Sequence, residues 1–187
     1  MKRIFLIAGL ATAFLLVVVA ASAQKAGFAG AWGLDKAKSQ GLSQRMQGAD
    51  KVTLTITQDD KTIVLDQKVE GGQPPAGGGP GGGGGMGGGR GAGAGGPQTY
   101  NLDGKEATSD VTFGQNTGKR TMKATMSGGT LELMSKTSFT GQDGSERVNT
   151  VTQKLSLSAD GKTLSVVTHR EGGQQQAPDT TAVYNKQ

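Results

Sequence analysis

The chain has 187 residues, of which 33 are glycine and none is cysteine, and its 20 lysines and arginines against 15 aspartates and glutamates give a formal charge of +5. Without cysteine there is no disulfide, no thiolate metal ligand and no thiol nucleophile, so the fold must be held by its core alone. The basic residues are interleaved with acidic ones and only 4% of residues are aromatic, which argues against nucleic acid as a partner, because that needs a concentrated basic stripe with stacking rings.

At the N-terminus, Met1-Lys2-Arg3 precedes an apolar run from Ile4 to Ala21, and Ala21-Ser22-Ala23 leads into Gln24. A basic start, an apolar stretch and an Ala-x-Ala site in this order predict a secretory signal peptide, a helix over residues 1–23 cut between Ala23 and Gln24. The competing reading is a retained anchor, since the run approaches the ~20 residues that span a bilayer. Only Lys25 follows it, and a stop-transfer segment wants more cationic flanks. The expected mature chain is therefore periplasmic or secreted and off the membrane, and loss of Lys2 and Arg3 leaves it 18 basic against 15 acidic residues, a net +3.

Next come Phe28 and Trp32, and then Lys36 to Met46, where a short helical turn is expected although Gly41 weakens it. Val52, Leu54 and Ile56 alternate with Thr53, Thr55 and Thr57; after Asp59-Asp60, Ile63, Leu65 and Val69 continue the alternation. A period of two on both sides of an acidic turn predicts a hairpin with one apolar face.

From Gly71 to Pro97, 17 of 27 residues are glycine, and Met86 is the only large apolar side chain. Nothing there can offset the ordering entropy, so a disordered coil is expected. Residues 24–70 contain only 12 large apolar side chains, too few for a free-standing unit. The tract is thus expected to be an insertion, 71–97, in a single domain spanning 24–187. Gly89-Arg90-Gly91 and the chance Gly-x-Gly-x-x-Gly matches lack the strand and helix that a nucleotide loop requires.

Downstream the alternation repeats. Tyr100 and Leu102 lead to Asp103-Gly104, Val111 and Phe113 to a turn-like Gly114 to Gly118, and Met122, Ala124 and Met126 to Gly128-Gly129. Leu131, Leu133 and Phe139 lead to Asp143-Gly144, Val151, Leu155 and Leu157 to Asp160-Gly161, then Leu164 and Val166, and last Ala182 to Tyr184. Asp-Gly and Gly-Gly supply the positive φ of tight hairpin turns. The predicted class is all-β, an antiparallel up-and-down meander of about eight to ten strands that closes into a barrel and so removes its edges.

The residue types capable of chemistry have ordinary explanations. His169 is the only histidine, short of the partners that a triad or a zinc site needs, and reads as a solvated strand residue. Asp59 and Asp60, like Asp103, Asp143 and Asp160, sit where turns favour aspartate. No catalytic residue, metal or cofactor is expected, and the chain reads as a non-enzyme.

The string Phe28-Ala29-Gly30-Ala31-Trp32-Gly33-Leu34-Asp35-Lys36-Ala37-Lys38-Ser39 resembles the start of lipocalin-like, or calycin, barrels, whose first strand opens with a Gly-x-Trp. More closely, Gly30, Trp32, Leu34, Asp35, Ala37, Lys38 and Ser39, with Tyr184 and Lys186 near the end, resemble small secreted bacterial proteins of unknown function. The resemblance implies a lipocalin-like barrel, Gly30 and Trp32 as a structural plug at one end, and a small apolar molecule as partner. The alternative is a structural or interaction protein of the cell envelope with a filled barrel and the glycine tract as a tether.

Overall fold

A computed structural model describes residues 27–71, 97–113, 116–141, 144–172 and 178–187. The expected signal with its cut at Ala23 and Gln24, residues 72–96 of the glycine tract, and Asp143 lie outside the described residues. Ten strands and one short helix follow each other as β1 (Gly30–Gln40), α1 (Gln44–Gly48), β2 (Lys51–Gln58), β3 (Thr62–Glu70), β4 (Gln98–Asn101), β5 (Ala107–Phe113), β6 (Asn116–Ser127), β7 (Thr130–Thr140), β8 (Glu146–Leu157), β9 (Thr163–Glu171) and β10 (Thr180–Lys186).

They form one antiparallel sheet in the order β4-β3-β2-β1-β10-β9-β8-β7-β6-β5. Every neighbour is a sequence neighbour except at the seam, where the first strand pairs with the last, Trp32 opposite Lys186 and Leu34 opposite Tyr184. Strands from both sides of the glycine tract are contiguous, because β3 and β4 pair from Ile63 with Tyr100 to Leu65 with Gln98. At the outer edges, β5 pairs with β6 no farther than Met122, and β4 approaches β6. The expected up-and-down meander is thus a nearly closed ten-stranded barrel.

The turn chemistry follows the sequence closely. Between β6 and β7, Ser127 pairs with Thr130, and Gly128 and Gly129 take φ of 56° and 82°, values that a two-residue hairpin turn demands and that glycine adopts without steric cost. At the β2–β3 turn, the Asp59 carboxylate accepts the Lys61 and Thr62 amides at 2.7 and 2.6 Å.

Two local expectations are corrected. The segment Gly114 to Gly118 is not all turn: β6 begins at Asn116, and Gly118 pairs with both Val111 and Phe139. A Cβ at Gly118 would lie 2.2 Å from the Ser138 carbonyl oxygen, so this glycine marks close strand approach, a role that sequence does not separate from turning. Lys36 to Gln40 stay extended in β1, and the helix starts later, at Gln44, with the Ser43 hydroxyl accepting the Met46 amide. Pairing with β10 at Asp35 and again at Gln40 pins both ends of this stretch, and Lys36 reaches from it to donate to the carbonyls of Gln47 and Ala49.

The Asp35-to-Ser39 stretch acts at the seam, where the β1–β10 register shifts between Asp35 and Gln40. The Ser39 hydroxyl donates to the Asp35 carbonyl at 2.6 Å and accepts the Val183 amide at 2.9 Å, replacing ladder bonds that the shift removes. Asp35 also accepts from Asn185 Nδ2 at 3.1 Å and pairs with Lys38 at 3.1 Å. Ser39→Ala leaves the Val183 amide without this acceptor and is expected to cost about 1–2 kcal/mol, read as a lower urea midpoint with an unchanged slope.

Candidate functional site

The barrel has two dissimilar ends. The lower end carries the β2–β3, β6–β7 and β8–β9 turns and the C-terminal residues; the upper end carries α1, the last residues of β3, β5, β7 and β9 and the first residues of β4, β6, β8 and β10. Because side chains alternate along a strand, each strand contributes one row to the interior, and the buried residues identify those rows.

Near the lower end the interior is sealed. Phe28, Trp32, Ile63, Leu131, Leu133, Leu155 and Leu164 are fully buried, with Leu54, Ile56, Tyr100, Val166 and Tyr184 close behind. Gly30 and Trp32, which the resemblance singled out, both lie here, on β1. The Trp32 indole N–H donates to the Phe28 carbonyl at 3.0 Å, and the Lys186 ammonium lies 5.4 Å from the ring centroid. Phe28 is itself tied down by its amide, which donates to Gln58 Oε1 at 3.0 Å. Gly30 has φ of 144°, and a Cβ on it would stand 3.6 Å from the indole nitrogen, so the glycine lets the backbone turn in over the ring.

The burial of two tyrosines fixes their protonation. Tyr184 is raised well above the ordinary phenol range by burial. Tyr100 is pushed up to about 12 by burial, against a smaller opposing effect of the Arg120 guanidinium. Both are neutral hydroxyls at any physiological pH, and Tyr100 donates to Gln98 Oε1 at 2.9 Å.

Going up the same inner rows, the wall changes character. On β8, Leu155 gives way to Gln153, then to Val151, Asn149 and Arg147; on β9, Val166 gives way to Thr168 and Arg170; on β7, Leu133 gives way to Ser135 and Thr137. Gln153 and Thr168 are still buried, Val151, Arg147, Arg170, Ser135 and Thr137 are half-buried, and Asn149 is exposed. Asn149 lies beyond the last β8–β9 pair, Thr150 with Glu171, so the inner rows pass from a packed base to half-buried positions and then to solvent at the rim. Above β1, Leu42 and Ala49 flank α1 and are buried, with Met46 of the helix packed on the same core. This division of the wall was not legible in the sequence beforehand; the signal available was the drop in apolar character toward one end of β7, β8 and β9.

Asp59, Asp103 and Asp160 lie in three separate turns. Each accepts backbone amides within its own turn, and among the described residues no group of three metal-ligating side chains forms. A shallow depression of about 410 Å³ on the outer face, lined by Glu106, Lys119, Thr121, Met134, Lys136, Ser138 and Glu146, has mixed charge and no convergent chemistry.

His169 stands on the outer face of β9, yet it has company that the sequence did not suggest. Its Nδ1 is 2.5 Å from Asp179 Oδ1 and its Nε2 3.3 Å from Glu171 Oε1. Only the imidazolium offers an N–H to both carboxylates, and these two acceptors, Asp179 first, raise its pKa above the ordinary 6.5. A raised folded value means stabilisation that is complete below the unfolded value and lost as pH rises through the folded one. Asp35, Asp59 and Asp160 are held below the ordinary 3.8, chiefly by hydrogen bonds from Lys38, Lys61 and Ser158 respectively; their contribution is present above that value and lost as pH falls through the lowered ones. Stability is therefore expected to peak in mild acid. In a series of urea midpoints against pH, His169→Gln should remove the decline on the alkaline side and leave the acid side unchanged.

The molecule is, by strand order and near closure, an antiparallel up-and-down β-barrel with a packed lower interior. Among solved structures, it is similar to a crystal structure of a mutant of the fluorescent protein UnaG, at a TM-score of 0.45 and 15% identity over 86% of this chain and 96% of that one. The fold assignment stands on the strand pairing itself. No family model matches this chain, and no curated protein matches it either.

Proposed function

We propose that this chain is an exported, non-catalytic barrel of the lipocalin-like kind that holds a small, largely apolar molecule in its interior. One observation carries the reading: the inner rows pass from a fully buried apolar base at Leu155 and Leu133 to half-buried positions and then to solvent at the rim, at Asn149. An apolar base beneath half-buried inward positions such as Val151 and Ser135 is the arrangement a binding barrel needs, an apolar floor below a mouth. In this reading Gly30 and Trp32 form the floor.

Trp32 is the only tryptophan, so its emission reports on the floor directly. Titration of the mature protein with fatty acids, retinoids or haem should shift or quench that emission; no response across the panel from a protein with native circular dichroism refutes the reading. Replacing residues 72–96 with a short Gly/Ser linker that still spans from the end of β3 to Gln98, which pairs with Leu65, should leave the response intact, whereas a tether or adhesive role would be lost with the tract. Export is tested separately: the mature N-terminus should be Gln24.

A further inference from the structure

His169 and Glu171 stand two residues apart on β9, out of phase with the buried Val166 and Thr168, so both side chains leave the outer face of one strand. On β8, Thr152 lies opposite His169 and Thr150 opposite Glu171, which sets hydroxyls rather than cations beside them. From the other side comes Asp179, the residue before β10, whose Oδ1 is 2.5 Å from His169 Nδ1. Among the described residues His169 is the ion-pair partner of both carboxylates, no lysine or arginine pairs with either, and all three side chains are open to solvent. With the imidazole neutral the cluster carries two negative charges, which a divalent cation matches.

The two ring nitrogens have different tasks. Asp179 accepts from Nδ1, which fixes the tautomer and turns the Nε2 lone pair toward Glu171, the carboxylate–histidine arrangement that orients metal-binding imidazoles. His169 Nε2 and Glu171 Oε1 are 3.3 Å apart. Two donor atoms that each lie about 2.1 Å from a tetrahedral Zn2+ are separated by about 3.4 Å, so this pair already stands at the bite of such an ion. Among the described residues no three ligating side chains converge on one point, which makes the site a chelate of two with its remaining positions open to water. His169 is the only histidine and the chain has no cysteine, so no other imidazole or thiolate competes for the ion.

We propose that His169 and Glu171 bind a divalent cation of the zinc class on the outer wall of β9 near its upper end, with Asp179 as the positioning residue that holds the imidazole for it. On binding, the ion takes the place of the proton between Nε2 and Glu171, and that proton leaves to solvent. The site lies outside the lumen and is independent of what the barrel holds.

Zn2+ titrated into the untagged mature chain, on the alkaline side of the His169 titration, should shift the imidazole proton resonances in a nuclear magnetic resonance spectrum, signals that belong to this residue alone. Mg2+, which takes oxygen ligands in octahedral geometry, should not. By calorimetry, His169→Gln should abolish Zn2+ binding, and Asp179→Asn should weaken it about 10–100-fold, the usual effect of losing an orienting partner. Glu171→Gln, which removes one of the two ligands, should weaken it further than Asp179→Asn does. Asp179→Glu, which restores an acceptor, should recover part of the loss, a rescue that a merely structural role would not give. Unchanged Zn2+ affinity in His169→Gln places the ion elsewhere and overturns the proposal, as does equal affinity for Mg2+ or the absence of saturable Zn2+ binding by the natively folded chain. Unchanged affinity in Asp179→Asn overturns the positioning role. The resonance shift of the unsubstituted chain decides the matter even where a variant does not fold.

Discussion

Replacing Trp32 with alanine should cost about 3–5 kcal/mol, the range for removing a large aromatic from a packed core. Trp32 is fully buried, and it organises its surroundings: its N–H fixes the Phe28 carbonyl, and Lys186 from the last strand lies over its ring. The substitution therefore loosens the lower end and the β1–β10 seam together. Domains of this size have a total of only about 5–15 kcal/mol, so the variant should be largely unfolded at modest urea concentrations. Trp32→Phe keeps the ring and loses the hydrogen bond, and should retain a cooperative transition. Far-ultraviolet circular dichroism is the appropriate probe, since the variants remove the fluorophore. If Trp32→Ala unfolds at the native midpoint, Trp32 is no structural floor.

The second large effect is a contrast between two inward residues of one strand. Leu155→Ala should cost about 2–5 kcal/mol, because Leu155 is fully buried between Leu131 and Val166 and its removal leaves a cavity. Val151→Ala, four residues along the same inner row of β8, should cost below about 1 kcal/mol, because that side chain is only half-buried and less apolar area is lost to water. Urea midpoints of the two variants measure the difference directly. Equal costs would mean that the upper lumen is as tightly packed as the lower, and the proposed mouth would then have no basis.

The elements that local rules govern could be read without coordinates. Alternation at Val52, Leu54 and Ile56 specified a strand because side chains on a pleated backbone repeat every two residues. Gly128-Gly129 specified its turn because only a positive φ on both residues closes so tight a hairpin. Where one residue type serves two purposes, reading failed: Gly118 stands inside β6 because Ser138 of the neighbouring strand comes too close for a Cβ, and that neighbour is 20 residues away. Likewise the Asp35-to-Ser39 string stood out as a motif, but its task, bridging the register shift against Val183, involves the opposite end of the chain.

His169 shows the same limit. On its strand it is an isolated histidine, and Glu171 is its only acidic neighbour in sequence; Asp179 joins it only because β9 and β10 run antiparallel. The candidate site was the least legible part of all. Arg120, Arg147 and Arg170 are spread over 51 positions of sequence and look like ordinary alternation of charge until the strands curve round and assign a side to each phase.

By itself the sequence determined the class of fold, the succession of strands and turns and the want of cysteine chemistry, because each follows from composition or from the local preferences of neighbouring residues. Only the tertiary structure decided that the first strand meets the last, that the lower interior is packed, and that Arg120, Arg147 and Arg170 hold inward positions on the described strands. Those properties depend on which phase of every strand faces the common axis, and closure of the sheet is what makes that choice for all strands at once.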